Sequence, residues 1–274
     1  MRYPGGKAKA LTFSYDDGIT QDRRLVEVLN RNGLKGTFNL NSGFFGMQQN
    51  EYQQNLTPEE AAALYTPGGH EVAVHTVSHP YLEKLSDERV LYEIMEDRHR
   101  IEELCHTVVK GMAYPWGTYS DRVIRLAKAA GIVYSRTIVS TGDFRIPDDW
   151  FRLTATCHHS DPRLMELAKQ FVGQTPADQP YDRTPWLFYV WGHSYEFDMS
   201  RNWNVIEDFA SYMAGRSDIW YATNMEIYEY ITAYRSLEYS VSGGLVKNPS
   251  ATDVYLEWNQ RLIRVESGGV AELI

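Results

Sequence analysis

Two adjacent carboxylates and a glycine, Asp16-Asp17-Gly18, follow the run Thr12-Phe13-Ser14-Tyr15. Neighbouring acids can divide labour, one holding a metal and the other moving a proton, although Asp-Gly is also common turn chemistry. His75 and His79 stand four residues apart, a spacing that lets two imidazoles reach one ion. With Asp17 they make a set of two histidines and one carboxylate that leaves positions for water and substrate. His79 precedes Pro80, which disfavours helix there and leaves a pair of polar loop histidines as an equal alternative. His193, within Trp191-Gly192-His193-Ser194-Tyr195-Glu196-Phe197, can serve as a general acid or pack among its aromatic neighbours. Cys157-His158-His159 has no further ligand at convincing spacing and reads as packing or a cleft loop.

The elements that must position these residues show in the hydropathy pattern. Short apolar, β-rich runs at 10–14, 36–40, 71–75, 108–114, 132–139, 186–191 and 219–222 alternate with helical periodicity. Ser86 and Ser120 read as N-caps, and Asn202 and Asn224 can open the last two helices. Repeated βα units imply a parallel sheet with functional residues at the C-terminal strand ends. The three polar motifs all fall there. Seven units predict an α/β fold, an incomplete (β/α) barrel, over residues 1–235. Residues 236–274 change to a hairpin pattern around Asn259-Gln260 and read as a small C-terminal β appendage.

Composition narrows the function class. The 274 residues are 43% hydrophobic and 23% charged, a soluble globular balance, and the formal charge of −9 disfavours nucleic acid and anionic membrane surfaces. No apolar run reaches the roughly 20 residues that span a bilayer, and no signal-peptide pattern follows Met1. A cytoplasmic protein is expected. Cys105 and Cys157 are expected to be reduced thiols.

In order along the chain, Asp16-Asp17-Gly18, His75 with His79, Tyr114-Pro115-Trp116-Gly117 and His193 resemble the motifs of the polysaccharide deacetylase family, carbohydrate esterase family four. The resemblance runs over about residues 10 to 235. It implies a distorted barrel and a metal-dependent amide hydrolase with one divalent ion, usually zinc, that removes N-acetyl groups from an amino sugar or oligosaccharide. It makes Asp16 the base, Asp17, His75 and His79 the metal ligands, and His193 the acid. Trp116 falls where a backbone N–H helps hold the oxyanion; Trp191 and Tyr195 flank the site as substrate-stacking candidates.

Two departures stand out. The position that carries an arginine paired with the base is Ala113, so another cation must orient Asp16; Arg136 is the first choice, ahead of Arg145 and Arg152. The acid that tunes the acid histidine maps loosely onto Asp143, Asp148 and Asp149, beside Trp150. Hydrolysis of a cyclic amide or other small C–N substrate, and non-catalytic carbohydrate binding, are the rival expectations.

Overall fold

The computed structural model describes residues 1–178 and 184–273. Side-chain alternation along its first strand, β1 (Lys9–Asp16), decides the architecture. Leu11, Phe13 and Tyr15 join the large apolar cluster under the helices, whereas Ala10 joins a second cluster with Tyr134, Tyr189 and Trp191. Thr12, Ser14 and Asp16 share the Ala10 face, which turns into the ring of strands. The strand end therefore delivers Asp16 to the ring's interior.

On one side of β1 the parallel strands β2 (Thr37–Leu40), β3 (Glu71–Val74), β4 (Gly111–Ala113) and β5 (Tyr134–Ser140) follow in sequence order. The strands β6 (Leu153–Ala155) and β7 (Cys157–His158) are two halves of one run broken at Thr156. The first half pairs with β5 and the second with β8 (Trp186–Gly192), which lies on the other side of β1. The result is a distorted (β/α) barrel with seven walls instead of eight. The seventh wall is not the run predicted at 219–222. That run, β9 (Ile219–Tyr221), pairs only with the first three residues of β1 and sits outside the ring. The real wall, at 153–158, is too short and too polar to stand out in a hydropathy pattern.

The connecting helices are α1 (Asp22–Arg31), α2 (Pro58–Leu64), α3 (Asp87–Cys105), α4 (Asp121–Ala129), α5 (Leu164–Gly173), α6 (Tyr195–Met199), α7 (Asn204–Met213) and α8 (Asn224–Arg235). Ser86 and Ser120 cap α3 and α4. Thr223, in a capping box with Glu226, caps α8 in place of Asn224. The Asn224 amide is used inside the ring, accepting from Thr12 Oγ1 (3.0 Å) and donating to the Tyr189 hydroxyl (2.6 Å). No helix among the described residues is long and apolar enough to cross a membrane.

Beyond α8 come β10 (Glu238–Tyr239), β11 (Leu245–Lys247), β12 (Val254–Trp258), β13 (Arg261–Val265) and β14 (Val270–Glu272), all antiparallel. They close over their own small core of Val246, Leu256, Val265 and Leu273. This C-terminal appendage is tied to the barrel by Arg2 N donating to Tyr255 O (2.9 Å) and by Tyr255 N donating to the Tyr230 hydroxyl (3.0 Å). It lies away from the strand ends that carry the polar motifs.

Candidate active site

Asp16 ends β1 with a buried carboxylate. Asn39, its register partner on β2, donates to its Oδ1 (2.8 Å), and the Arg136 guanidinium of β5 donates to its Oδ2. Arg136 is itself buried, held by Ser14 Oγ (3.2 Å) and by the Thr137 carbonyl (3.0 Å), with the Trp191 ring 4.7 Å from the guanidinium carbon. Ala113 of β4 is the register partner of Arg136, so the cation stands one strand sideways from the position that lacks it. Arg145 pairs with Asp143, and Arg152 with Asp149 and Asp121, in exposed ion pairs away from Asp16.

The chain then turns at Asp17 with φ 80°, a left-handed conformation, and Gly18 follows at φ 62°. This reversal sends Asp17 away from Asp16 toward the loop after β3. Asp17, His75 and His79 bring their donor atoms within 4.8 Å of one another, with His75 Nε2 3.7 Å from Asp17 Oδ1. His75 Nδ1 lies 2.9 Å from the Ala113 carbonyl, which can only accept, so Nδ1 carries the proton and Nε2 presents its lone pair to the cleft. Burial, then His75, lowers the His79 pKa to about 3, which leaves that ring neutral and able to ligate. Burial raises the Asp17 carboxyl despite His193 and His75, as expected for a carboxylate whose charge a cation should settle. A desolvated carboxylate facing two imidazoles has the donor types of a divalent-metal site.

The loop from 75 to 79 is held from below by α3. Asp97 accepts from the backbone N–H of His75 (3.0 Å) and Ser42 (2.7 Å), and Glu93 accepts from Ser78 N (2.9 Å) and Oγ (2.8 Å). Four of the eight non-glycine residues with positive φ in the described chain are Asp17, Thr76, His79 and Trp116. Such conformations cost of order 1–3 kcal/mol each and persist where the surroundings over-determine them. Here Asp17, His79 and Trp116 line one cleft, with Thr76 buried in the loop between His75 and His79.

That cleft is a cavity of about 550 Å³ with Asp16, Asp17, His75, His79 and His193 at its floor. The Trp116 ring stacks on Tyr81 (centroids 5.1 Å apart) and donates through Nε1 to the His79 carbonyl (3.0 Å). Gln49, Gln53 and Asn55 of the segment after β2 line the opposite wall, and Tyr195 and Ile138 also face the cavity.

Residues 3–135 match the family model described as polysaccharide deacetylase. The match takes in 133 of the 274 residues, just under half of the chain. The fold extends past that match: a polysaccharide deacetylase structure from Mycobacterium smegmatis superposes with a TM-score of 0.61 at 16% identity, covering 86% of this chain and 94% of that one. The Streptococcus pyogenes deacetylase PplD, solved with acetate, is 22% identical over 52% of this chain, with a TM-score of 0.47. A Bacillus cereus polysaccharide deacetylase is 19% identical over the same share, with a TM-score of 0.44. The alignments span only 61% and 44% of those two chains.

The acids proposed from sequence for tuning His193 lie elsewhere. Asp143 and Asp149 are engaged by Arg145 and Arg152, Asp148 lies 3.9 Å from Arg235, and Trp150 packs edge-on against Tyr228. Glu196 of α6 stands in that place, its Oε1 3.2 Å from His193 Nδ1. Its position three residues after the histidine, at the start of a short helix, is the one signal that could have found it. Burial alone would lower the His193 pKa, but the Glu196 hydrogen bond and the charges of Asp17 and Asp16 raise it to about 9. Burial likewise disfavours charge on Asp16, yet Arg136, His75 and His193 together bring its pKa down to about 2. Trp191 lines the cleft but is mostly buried, braced on Ser140 Oγ (3.2 Å) beside Arg136.

The barrel also rests on buried carboxyls. Asp22 accepts from Ser194 Oγ (2.6 Å) and the Tyr65 hydroxyl (2.7 Å), which fastens the His193 loop to α1. Burial raises Asp22, Asp97 and Glu71 to about 7 each against the pull of their hydrogen bonds. Their folded pKa values lie above the roughly 4 of an unfolded chain, so the folded state holds these protons more tightly. The stability they contribute is complete below about pH 4 and is lost as pH rises toward about 7. The thermal midpoint should therefore be higher at pH 5.5 than at pH 8; a midpoint that rises over this interval contradicts the assignment.

Proposed function

We propose that the protein is a zinc-dependent hydrolase that removes the acetyl group from an N-acetylated amino sugar or a short oligosaccharide of one. The observation that carries the reading is the separation of two adjacent carboxylates. Asp16 is pinned by Arg136 and Asn39, while Asp17 turns away to face His75 and His79. Asp17, His75 and His79 would hold the ion, which when bound supplies Lewis-acid polarisation of the acyl oxygen and acidifies water.

The chain's own residues divide the proton work. Asp16, kept ionised by Arg136, accepts a proton from the attacking water. His193 bonds Glu196 through Nδ1, so its Nε2, 3.8 Å from Asp16 Oδ2, faces the cleft and protonates the departing nitrogen. Water contributes its oxygen to acetate, and the amine leaves neutral. The backbone N–H of Trp116 serves the oxyanion, and the Trp116 and Tyr195 rings flank the sugar. The amide wall of Gln49, Gln53 and Asn55 offers donors and acceptors without charge, which suits hydroxyl and acetamido groups. The rival of a non-catalytic binding protein draws on Ala113, and Arg136 removes that motive.

The test is acetate release from N-acetylglucosamine oligomers by zinc-loaded protein, compared with hydrolysis of small cyclic amides. Acetate release supports the reading; turnover of cyclic amides alone favours the rival hydrolase. Glu196→Gln removes a charge-assisted hydrogen bond of about 1.5–3 kcal/mol, or roughly one to two pH units. The alkaline limb of kcat/KM, set by His193 at or below about 9 once a cation screens Asp17, should move down by that amount. An unmoved limb assigns the acid elsewhere.

A further inference from the structure

The fold supplies what the Cys157-His158-His159 sequence lacks. Glu196 Oε2 lies 3.2 Å from His158 Nε2 and 3.0 Å from His159 Nε2, and the three donors fall within 4.8 Å of one another, as do those of Asp17, His75 and His79. We infer that His158, His159 and Glu196 form a second site for a divalent transition-metal ion of the zinc, nickel or copper type, separate from the cleft's own ion.

Donor type argues for this class: two imidazoles and one carboxylate suit borderline metals over calcium or magnesium. Geometry agrees. Donors bound at about 2.0–2.2 Å in a tetrahedral shell stand about 3.3–3.6 Å apart, close to the two separations here. Both rings come within hydrogen-bond distance of Glu196 Oε2, yet that oxygen accepts no aligned hydrogen bond. His159 is almost fully buried, stacked between Tyr15 and Phe197, and its Nδ1 has no partner, so its polar contact is made through Nε2 toward Glu196. Gly192 permits the arrangement, because a Cβ there would stand 2.1 Å from His159 Nδ1.

His158 supplies the adjustable ligand. Its Nδ1 lies 2.7 Å from Ser160 Oγ and also accepts from Ser160 N (3.2 Å). When Nε2 ligates, the ring proton moves to Nδ1 and is accepted by Ser160 Oγ. The side chains of His158 and Glu196 keep 22% and 28% of their surface exposed, which gives an ion access that His159 alone would not have. Glu196 is then shared, Oε2 on the ion and Oε1 on His193.

The experiment uses full-length protein without a histidine tag, stripped with chelator and titrated with Zn²⁺, with bound metal counted after equilibrium dialysis. Wild type should bind two equivalents. His158→Ala should bind one, as should the double variant Asp17→Asn/His79→Ala, each checked for native circular dichroism. Glu196→Gln, also binding one, guards against a misfolded His158 variant. A wild-type count that both His158→Ala and Glu196→Gln retain in full overturns the second site. The count is read without turnover, so failure of the deacetylase reading leaves it intact.

Discussion

Asp16→Asn protein should keep its metal and its fold while losing most of its turnover. The amide is nearly isosteric and its oxygen can still accept from Arg136, but it cannot take a proton from water, and the unpaired buried guanidinium should lower the thermal midpoint. Loss of a positioned general base costs typically about 10² to 10⁴ in rate. Asp17, His75 and His79 are untouched by the change, so metal content should stay at the wild-type value. Acetate release measured beside metal content separates the two duties of the adjacent carboxylates. Near-normal turnover by the metal-loaded variant would assign the base elsewhere; loss of metal would place Asp16 among the ligands.

Arg136→Leu should be nearly as damaging for a different reason. Arg136 and Asp16 are both almost fully buried, and breaking such a pair from one side leaves an uncompensated charge that costs about 3–5 kcal/mol. The carboxyl can escape that cost by taking up a proton, because Arg136 is the foremost influence holding its pKa down. A protonated Asp16 is no base, so activity near neutral pH should fall and return in part as pH rises. Arg136→Lys should recover some stability by restoring the charge, but less of the turnover, because an ammonium lacks the fork that also reaches Ser14 and Thr137. Thermal denaturation and pH–rate profiles of the two variants check this. An Arg136→Leu enzyme with undiminished kcat/KM would remove the arginine from the account.

These two residues also show how much was legible in the sequence. Asp16, Asp17, His75, His79 and His193 stand out because strand ends are easy to locate and polar residues there are conspicuous. Arg136 was reachable by supposing that consecutive strands are neighbours, and the register with Ala113 shows the supposition to be sound. The supports were harder. Glu93 and Asp97 look like the polar face of α3, yet Asp97 lies on its buried stripe with Val90, Ile94 and Ile101. A carboxylate on an apolar stripe carries a signal, but what it holds, the His75 N–H across a loop, is a tertiary fact. The wall at 153–158 was invisible for a related reason. Its two halves bond different neighbours around Thr156 and have no periodicity of their own.

The most direct measurement of the central claim is acetate release by one preparation carried through three states: as purified, stripped with chelator, and reloaded with Zn²⁺. It is repeated with His75→Ala/His79→Ala protein. Wild type should lose its activity on stripping and regain it on reloading, while the double variant should neither hold the ion in the cleft nor recover. Activity that survives complete removal of metal, or that zinc restores equally to the double variant, would contradict that claim.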